Sequence, residues 1–512
     1  MPVQPTYPGV YVQEVPSGVR TITGVATSIA AFIGRAKRGQ VNEPVTINSF
    51  SDYDRQFGGL WLKSPMSFAV RDFFLNGGSQ AIIVRLNNGA TASKYVIPAT
   101  PISKNLKIVA ANPGTWGDNL SFTINYNTKT SDTTLFNLVV SETDGLTETH
   151  LNVSIDAASP RYLPKILEQR SELIRVSQTA GVYDIFDIRP DATTSPITIS
   201  AGGTAGSDGI NLVSTSFIDT NFDTLKRGLY ALEKADIFNL LCIPPYLASN
   251  DIDLSLIAPL LAYCLKRRAV LIIDPPSSWT TTAQAKSGLA TYPGSTSNYA
   301  ALYFPRLRQP NPLNDNLMEE FVPCGAIAGI IARTDSQRGV WKAPAGQDAQ
   351  LLGVTELSVS LTDMENGDLN QLGINCLRAF PVYGRLVWGS RTLEGADRLA
   401  SEWKYLPVRR TALYIEESLY RGLKWVVFEP NDEPLWSQIR LNVGAFMHNL
   451  FRQGAFQGMT SKDAYFVKCD KETTTQNDIN LGIVNIWVGF APLKPAEFVI
   501  IHIQQMAGQI TQ

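Results

Sequence analysis

Apolar and polar residues alternate first near the start of the chain, at Val10, Val12 and Val15, in a stretch bracketed by prolines. This pattern predicts an extended arm that carries one short strand. Too little sequence surrounds the strand to build a sheet locally, so we expect it to pair with a distant segment or with another chain. A second such strand is predicted at EFVIIHIQ, residues 497–504, before a polar tail. Both ends of the chain are therefore predicted to be strands on arms.

Strands and helices alternate in two parts of the chain. Residues 26–90 predict a small α/β unit, with strands at Ile29–Ile33 and Ala81–Leu86 and a helix at Phe68–Leu75 that ends at two glycines. From residue 222 the order is again strand, helix, strand, and the predicted elements are Phe238–Ile243, Leu254–Leu265, Ala269–Ile273 and Tyr299–Phe304. Such alternation predicts a parallel sheet flanked by helices.

Residues 95–200 are rich in Ser, Thr and Asn and contain short alternating runs, which predict a half-exposed β-rich domain. One amphipathic helix is predicted at Tyr162–Val176. The glycine-rich run AGGTAGSDG, residues 201–209, predicts a flexible boundary after this domain.

The last part of the chain predicts two long helices followed by strands. The helices are placed at Arg410–Trp425 and Glu433–Gln453, and the strands at Asn480–Phe490 and Glu497–Gln504.

Composition narrows the class of protein. The 512 residues are 44% hydrophobic and carry a net charge of −2, which is typical of a globular protein with about three domains. Wrapping nucleic acid or coating an anionic membrane would require a basic excess, so neither is expected to be the main task. We expect no export signal and no membrane span. The five cysteines are widely spaced, which favours buried reduced thiols and a cytoplasmic origin.

Motifs of enzymatic chemistry are missing from the sequence. There is no GxxxxGK[ST] phosphate loop, no GxSxG and no HExxH. The run VLIIDPP, residues 270–276, could offer an acidic residue to Mg²⁺, but a strand that ends at its prolines is the favoured interpretation. Gly202, Gly203 and Gly206 precede polar residues and no helix, so they favour a linker over a phosphate cradle. We therefore expect no catalytic residues, no metal and no cofactor.

A basic stripe runs through residues 378–424, with nine basic residues and five acidic ones. It could dock an acidic partner or could be a solvated helix surface. Spacing alone favours the solvated surface.

Several long motifs resemble the contractile tail sheath proteins of bacteriophages and related contractile injection systems. The resemblance rests on YPGVYVQEVPSGVRTITGVATSIAAFIGRA at the start, GGSQAIIVRL at 77–86 and NYAALYFPRLRQPNPL at 298–313. It continues through GAIAGIIARTDSQRGVWKAPAG, VVFEPNDEPLW and GFAPLKPAEFV. The motifs are ordered along the chain and span residues 7–504 apart from 95–200.

This resemblance implies a multidomain fold of α/β and α+β type. The expected parts are an N-terminal arm at 1–25, a middle α/β domain at 26–94 and 205–375, and an inserted β-rich outer domain at 95–204. An inner α+β domain shared by the family follows at 376–495, and a C-terminal strand arm at 496–512. By the family pattern, the C-terminal domain faces an inner tube.

The resemblance also implies a structural, force-generating protein that is not an enzyme. Subunits of the family stack as hexameric rings around the tube, contract when a baseplate triggers them, and drive the tube through a target envelope. Expected partners are other copies of the chain, the inner tube protein, and baseplate and terminal cap proteins. The expected place is a phage tail or tail-like particle assembled in the cytoplasm, with no nucleic acid partner and no membrane insertion.

Strand exchange between subunits assigns roles to three groups of residues. The expected intersubunit strands contain Val10, Tyr11, Val12, Val15, Phe498, Val499, Ile500, Ile501 and Ile503. The candidate hinges are Pro16, Ser17 and Gly18 on the N-terminal side and Pro492 and Pro495 on the C-terminal side. With an inner tube as partner, the basic stripe is reinterpreted as a docking surface, with Arg409, Arg410, Arg421 and Lys424 as candidates.

Two other functions stay open on the sequence. One is a Rossmann-like nucleotide-binding enzyme built on residues 222–345, which micromolar binding of nucleotides would reveal. The other is a structural shell that does not contract.

Overall fold

A computed structural model describes residues 20–99, 105–128, 132–143, 145–185, 188–198, 203–246 and 251–502. The described chain separates into two compact units. The larger, called here the α/β unit, comprises Ser28–Thr334 and Pro344–Lys404. The smaller, called here the C-terminal unit, comprises the described residues up to Thr27, the segment Asp335–Ala343 and the described residues from Tyr405 onward.

The α/β unit begins with the predicted strand, helix and strand. Its first elements are β1 Ala30–Gly34, β2 Pro44–Ile47, α1 Phe50–Phe57, α2 Pro65–Leu75 and β3 Ala81–Arg85. Helix α2 begins at Pro65, earlier than predicted, because the Ser64 side chain accepts the N–H of Ser67 and Pro65 suits the first turn. The strands β1 and β3 are buried along their whole length, which explains their continuous apolar sequence.

An inserted β-rich part follows. Its elements are β4 Lys94–Ile97, β5 Leu106–Ala110, β6 Leu120–Asn125, β7 Leu135–Glu142, β8 Thr147–Ser154, α3 Leu163–Arg170, β9 Ile174–Val176, β10 Gln178–Thr179 and β11 Val182–Tyr183. Two three-stranded antiparallel sheets, β4-β5-β9 and β6-β7-β8, enclose a core around Trp116, Phe122 and Leu138. The alternating runs that predicted strands at Phe122 and Leu138 are confirmed.

The helix predicted at Tyr162–Val176 is wrong in its second half. Helix α3 ends at Arg170, and residues 174–176 form strand β9 beside β5. The Ser171 hydroxyl accepts the N–H groups of Leu173 and Ile174, at 3.3 and 3.0 Å. These hydrogen bonds compete with continuation of the helix, and the apolar residues Ile174 and Val176 form strand β9 instead.

The glycine-rich run at 201–209 is not a loose linker in its described part. Thr204 exchanges backbone hydrogen bonds with Lys94, and Ser207 does so with Thr91. The Asp208 carboxylate accepts the backbone N–H and hydroxyl of Thr115, at 2.9 and 3.0 Å. These bonds hold residues 203–208 against the base of the insertion.

The chain then completes the central sheet of the α/β unit. The remaining elements are α4 Ser214–Phe217, α5 Phe222–Leu225, β12 Leu240–Cys242, α6 Ile257–Arg267, β13 Val270–Ile273, α7 Thr282–Ala290, β14 Ala300–Phe304, β15 Leu307–Asn311, β16 Leu317–Phe321, α8 Cys324–Arg338, β17 Glu356–Leu357, α9 Asp363–Asn370, β18 Ile374–Phe380 and β19 Gly384–Val387. The eight strands lie in the order β19-β18-β14-β13-β12-β1-β3-β2. Its inner strands are parallel, as predicted, and only the edge strands β2 and β19 run antiparallel.

Strand β18 crosses the boundary that the sequence placed between residues 375 and 376. The strand pairs with β14 and belongs to the central sheet, and the compact units divide between Lys404 and Tyr405. The residues that follow β18 therefore pack with the α/β unit up to Lys404.

Helix α8 approaches helix α2 through glycines. A Cβ placed on Gly325 would lie 1.9 Å from the backbone oxygen of Ala69, and one placed on Gly329 would lie 2.4 Å from that of Phe73. The spacing of four residues puts both glycines on one face of the helix, so the two backbones come into direct contact. The GAIAG sequence is thus a packing motif.

The C-terminal unit contains the two predicted long helices. Its elements are α10 Leu406–Gly422, α11 Glu433–Arg452, α12 Ser461–Ala464, β20 Tyr465–Lys468, α13 Gln476–Asn480 and β21 Trp487–Phe490. The strand predicted at Asn480–Phe490 is present only at its end. The Thr475 and Asp478 side chains form a capping box that starts α13, which accounts for the missing half.

Candidate assembly interface

Strands β20 and β21 form a two-stranded antiparallel sheet in the C-terminal unit. On one face, Tyr465 and Val488 pack against a core around Ile439, Val443 and Met447 of α11. The period of two in a strand sends Phe466 and Trp487 to the opposite face, where both are at least half exposed. Two strands are all that the described residues contribute to this sheet. A sheet of two strands is marginal by itself, and its edges can accept further strands.

The segment after β21 exposes consecutive apolar residues. Phe498, Val499, Ile500 and Ile501 are between 73% and 82% exposed. The described residues 497–502 lie outside every strand of this chain, so the strand predicted at 497–504 does not form with a partner strand of the same subunit; Ile503 and Gln504 are outside the described residues.

The C-terminal segment is tethered just before its apolar run. The Tyr405 hydroxyl donates to a carboxylate oxygen of Glu497 at 3.2 Å. Pro492 and Pro495, the hinge candidates, lie between the end of β21 and this tether and are partly buried. Pro492 pairs with Phe456 in an isolated antiparallel bridge. The chain is thus held at Pro492 and at Glu497, and the exposed run follows.

Residues 20–27 line the two long helices of the same unit. The Arg20 backbone N–H donates to Asn442 Oδ1 at 3.0 Å, and its guanidinium lies 4.5 Å from the centre of the Trp425 ring. Ile22 is buried on Gly422, where the missing Cβ leaves room for it. Val10, Tyr11, Val12, Val15, Pro16, Ser17 and Gly18 lie outside the described residues. The described start of the chain is therefore fixed to α10 and α11.

Two of the predicted docking arginines are inside the C-terminal unit. Arg409 and Arg410 are only 5% and 4% exposed. Arg409 donates to Glu416 at 3.1 Å, and Arg410 forms a two-pronged pair with Asp335, in the part of α8 that belongs to this unit. A third donation, from Arg410 to the carbonyl of Thr27 at 2.9 Å, fixes the N-terminal segment. In the isolated chain Arg410 therefore connects separate segments of its own unit, and Arg409 pairs within α10.

The other two docking candidates lie nearer the surface. Arg421 is partly exposed and pairs with Glu417 at 2.7 Å, one helical turn away. Lys424 is exposed, and its ammonium lies 5.6 Å from the centre of the Tyr420 ring. Of the four candidates, Lys424 is the most accessible cation.

The sequence interpretation missed exposed apolar residues elsewhere in the unit. Phe428 is fully exposed and has a φ of +72°, which is unfavourable for a bulky residue. Its loop is fixed because Asn431 accepts from Trp436 Nε1 at 2.8 Å and donates to the Ile483 carbonyl at 2.9 Å. Phe466 was also missed, although the alternation in YFVK, residues 465–468, predicts the strand that presents it.

Titratable groups in the described part of the chain do not assemble a metal site. No group of three His, Cys, Asp or Glu side chains suited to a metal ion is found among the described residues. Asp274 at the end of β13 instead accepts the N–H of Cys324 at 2.8 Å, and burial raises its pKa to about 7. Burial likewise raises the pKa of the Cys376 thiol to about 12. Within the described residues, no helix is long and apolar enough to cross a membrane.

Family models match the chain in two places. The model described as the phage tail sheath protein central domain matches residues 222–393, and that of the phage tail sheath C-terminal domain matches residues 400–506. The second match covers α10, α11, the two-stranded sheet and the exposed C-terminal run.

Individual relatives and solved structures agree with these matches. The tail sheath protein of Burkholderia phage BcepMu is 26% identical over 475 residues, which cover 88% of this chain and 87% of that protein. The tail sheath protein of Vibrio phage KVP40 is 26% identical over 260 residues, or 46% of this chain, and the match spans only 37% of that relative's length. The contracted sheath complex of the extracellular contractile injection system PVC matches with a TM-score of 0.58 at 22% identity, covering 98% of each chain. At that identity, the structural similarity shows the fold.

Proposed function

This chain belongs to the phage tail sheath family, and we propose on that premise that it is the repeating subunit of a contractile sheath. In this proposal, copies of the chain form hexameric rings that stack around an inner tube in a phage tail or tail-like particle. Contraction, triggered from a baseplate, drives the tube through a target envelope. Terminal cap proteins close the polymer, and assembly takes place in the cytoplasm.

The single observation that carries the proposal is the exposed run Phe498–Ile501, which lies in a unit whose described sheet has only the strands β20 and β21. Four consecutive apolar residues in water would be a liability for a monomer. Inserted at the edge of another subunit's β20–β21 sheet, the same run would bury side chains on both faces and pair its backbone. Five or six backbone hydrogen bonds at about 1 kcal/mol net each would contribute several kcal/mol per junction.

The N-terminal arm is proposed to supply a second exchanged strand, with Val10, Tyr11, Val12 and Val15 in it. Its support is the firm attachment of residues 20–27 to α10 and α11, which gives an arm a fixed point of departure. Pro16, Ser17 and Gly18 on one side, and Pro492 and Pro495 on the other, would let subunits rotate while the exchanged strands stay paired.

Docking to the inner tube is proposed to depend on exposed cations of the C-terminal unit. Lys424 is the leading candidate and Arg421 the second, because both are closer to solvent than Arg409 and Arg410. Exposed charge contacts are weakened by salt, so a tube held in this way could be released when subunits move outward.

Contraction in this scheme requires no nucleotide. A polymer assembled in a lattice with less favourable interfaces stores free energy, and conversion to a second packing releases it. The tail sheath family is a structural family, and the lack of a phosphate loop in the sequence agrees with such a mechanism.

Negative-stain electron microscopy of the purified chain tests the proposal. We expect hollow tubes whose helical average shows six-fold rings. A cryo-electron microscopy map of the same tubes should show the chain crossing between subunits at residues 497–502. A chain that stays monomeric both alone and with its inner tube protein would contradict the proposal. If the polymers have the same lattice before and after triggering, the sheath does not contract and that part of the proposal is wrong.

A further inference from the structure

A polar cleft of about 380 Å³ lies in the α/β unit, where the inserted β-rich part meets the segment from β1 to α1. Three arginines line it, and they come from distant parts of the sequence: Arg38, Arg55 and Arg175. Asn112, Gln56 and Glu172 add polar groups to the wall. Three arginines and one glutamate therefore line a common space.

Arg38 forms the inner wall of this arginine cleft. Its side chain is buried, and Nη1 donates to Glu142 at 2.6 Å while Nη2 donates to the carbonyl of Arg55 at 2.7 Å. Its Nε is buried and has no hydrogen-bond partner. Arg38 is therefore committed to Glu142 and to the Arg55 carbonyl, and it fixes the wall of the cleft.

The Arg175 guanidinium uses only one of its nitrogen atoms in the hydrogen bonds of the described residues. Its Nη1 donates to the carbonyls of Ser171 and Ile174, both at 2.6 Å. Within the described part of the chain, Nε and Nη2 have no hydrogen-bond partner, and no carboxylate lies within ion-pair distance. Burial lowers the pKa of this guanidinium, which means that the surroundings disfavour its charge. An anion in the cleft would relieve that penalty.

Two carboxylates near the arginines, those of Glu148 and Asp52, are engaged in other contacts. Glu148, the closest in electrostatic effect to Arg175, accepts from Ser171 and from the backbone N–H groups of Glu172 and Leu173. Arg55 pairs with Asp52 at 2.9 Å on the same helix, and its side chain is half exposed. Arg55 can therefore turn toward a ligand at the mouth of the cleft with little loss.

We propose that the arginine cleft binds an oxyanion of the phosphate class, as inorganic phosphate or as a phosphate monoester. Arg175 would supply a two-pronged donation through Nε and Nη2, and Arg55 a cation at the rim, while Arg38 stays in its contacts with Glu142 and the Arg55 carbonyl and supports the wall. Planar guanidinium groups match the geometry of phosphate oxygens, and a partly desolvated arginine with two unpartnered donors favours an oxyanion over a neutral ligand. A bound phosphate would join the inserted β-rich part to the rest of the unit.

Isothermal titration of the full chain with sodium phosphate, in a buffer free of phosphate and sulfate, tests the site. We expect saturable binding with one site per chain, and a loss of affinity of at least tenfold in Arg175→Gln. Arg308→Gln is the matched control, because Arg308 is an exposed arginine of the same unit that already pairs with Glu356. Glucose 6-phosphate in a parallel titration distinguishes a free anion from a phosphate group carried on a larger molecule.

Two results would overturn the site. One is an absence of binding for both phosphate compounds; the other is equal affinity in wild type and Arg175→Gln. Sodium chloride at matched ionic strength must fail to reproduce the effect, or the binding is only screening. If Arg175→Gln does not fold, Arg55→Gln replaces it, with an expected loss of several fold. The test uses unassembled chain, so its result is independent of whether the chain forms a sheath.

Discussion

Arg410 and Asp335 form a two-pronged ion pair inside the C-terminal unit, with Nη1–Oδ1 and Nη2–Oδ2 distances of 2.8 and 2.5 Å. Both side chains are almost completely buried. The pair joins the start of α10 to the end of α8, and the same guanidinium reaches the carbonyl of Thr27. Arg410, a docking candidate by the family resemblance, thus connects three separate segments of its own unit.

Breaking this pair is expected to destabilise the unit. Arg410→Ala leaves a buried carboxylate without its partner, which typically costs about 3–5 kcal/mol. Urea unfolding of the C-terminal unit should show this loss, and Arg410→Met with Asp335→Leu should recover a large part of it because no charge then remains buried. Unchanged stability in Arg410→Ala would mean that the pair contributes nothing.

Charge reversal at Lys424 should weaken assembly on the inner tube and leave the stability of the unit almost unchanged. Lys424→Glu changes an exposed side chain, so we expect the free energy of unfolding to change by less than about 0.5 kcal/mol. Co-sedimentation should show weaker assembly on the inner tube, with the difference from wild type shrinking as salt is raised. Lys462→Glu, another exposed lysine of the unit, is the control. Equal losses in both variants would point to net charge rather than to a docking contact.

Polar substitution of the C-terminal run should separate folding from polymerisation. Phe498→Asp with Ile500→Asp places two charges on one face of the predicted strand, where the isolated subunit exposes both residues. We expect the monomer to keep its thermal unfolding temperature and to lose long tubes in electron micrographs. Met364→Asp, an equally exposed apolar residue in α9, should leave tubes intact. Tubes of normal length in the double variant would contradict strand exchange at this segment.

Sequence periodicity predicted the parallel sheet well because its strands are buried on both faces. Val270–Ile273 and Ala300–Phe304 are apolar without interruption and are bounded by turn residues, so few other structures suit them. The same reasoning failed at Leu173 and Ile174, which continue a helical pattern. Leu173 and Ile174 form hydrogen bonds to Ser171, and Ile174 lies in a strand that pairs with β5. Hydrophobic periodicity cannot predict contacts of this kind.

The assembly site was predictable only in part. The run EFVIIHIQ identified the exposed apolar segment, because its apolar residues follow one another and the residues after it, QMAGQITQ, are mostly polar. The burial of Arg409 and Arg410 was not predictable, since their partners include Asp335, which is distant in sequence. Counting charged residues along a segment does not predict which of them are exposed. Their exposure depends on the segments that pack against them, which can be distant in sequence.

Because α8 and α2 are in close contact at Gly325, we expect a side chain at this position to destabilise the α/β unit. In Gly325→Ala the new Cβ would lie 1.9 Å from the Ala69 oxygen, so the helices must separate. We expect a loss of about 1–3 kcal/mol or more in urea unfolding of the α/β unit. Gly444→Ala on α11 is the control, because nothing lies within 4 Å of its added Cβ. That variant should gain roughly 0.5–1 kcal/mol from helix propensity.

Asp274 should make the stability of the α/β unit depend on pH. Burial raises its pKa to about 7 despite the Cys324 N–H and the nearby Arg306, while Asp251 adds to the increase. An acid whose pKa is higher in the folded state gives its full stability below the unfolded pKa near 4 and loses it up to pH 7. Asp274→Asn keeps an oxygen for Cys324 and cannot ionise.

Comparison of Asp274→Asn with wild type at two pH values measures this loss. Between pH 5 and pH 8 wild type should lose roughly 3 kcal/mol relative to the variant, since each pH unit below the folded pKa contributes about 1.4 kcal/mol. Urea unfolding of both proteins at each pH gives the difference. A constant gap between wild type and Asp274→Asn at both pH values would mean that the carboxyl group ionises in the folded protein as readily as in the unfolded chain. The unpartnered oxygen of Asp274 would then have to be solvated by water inside the unit.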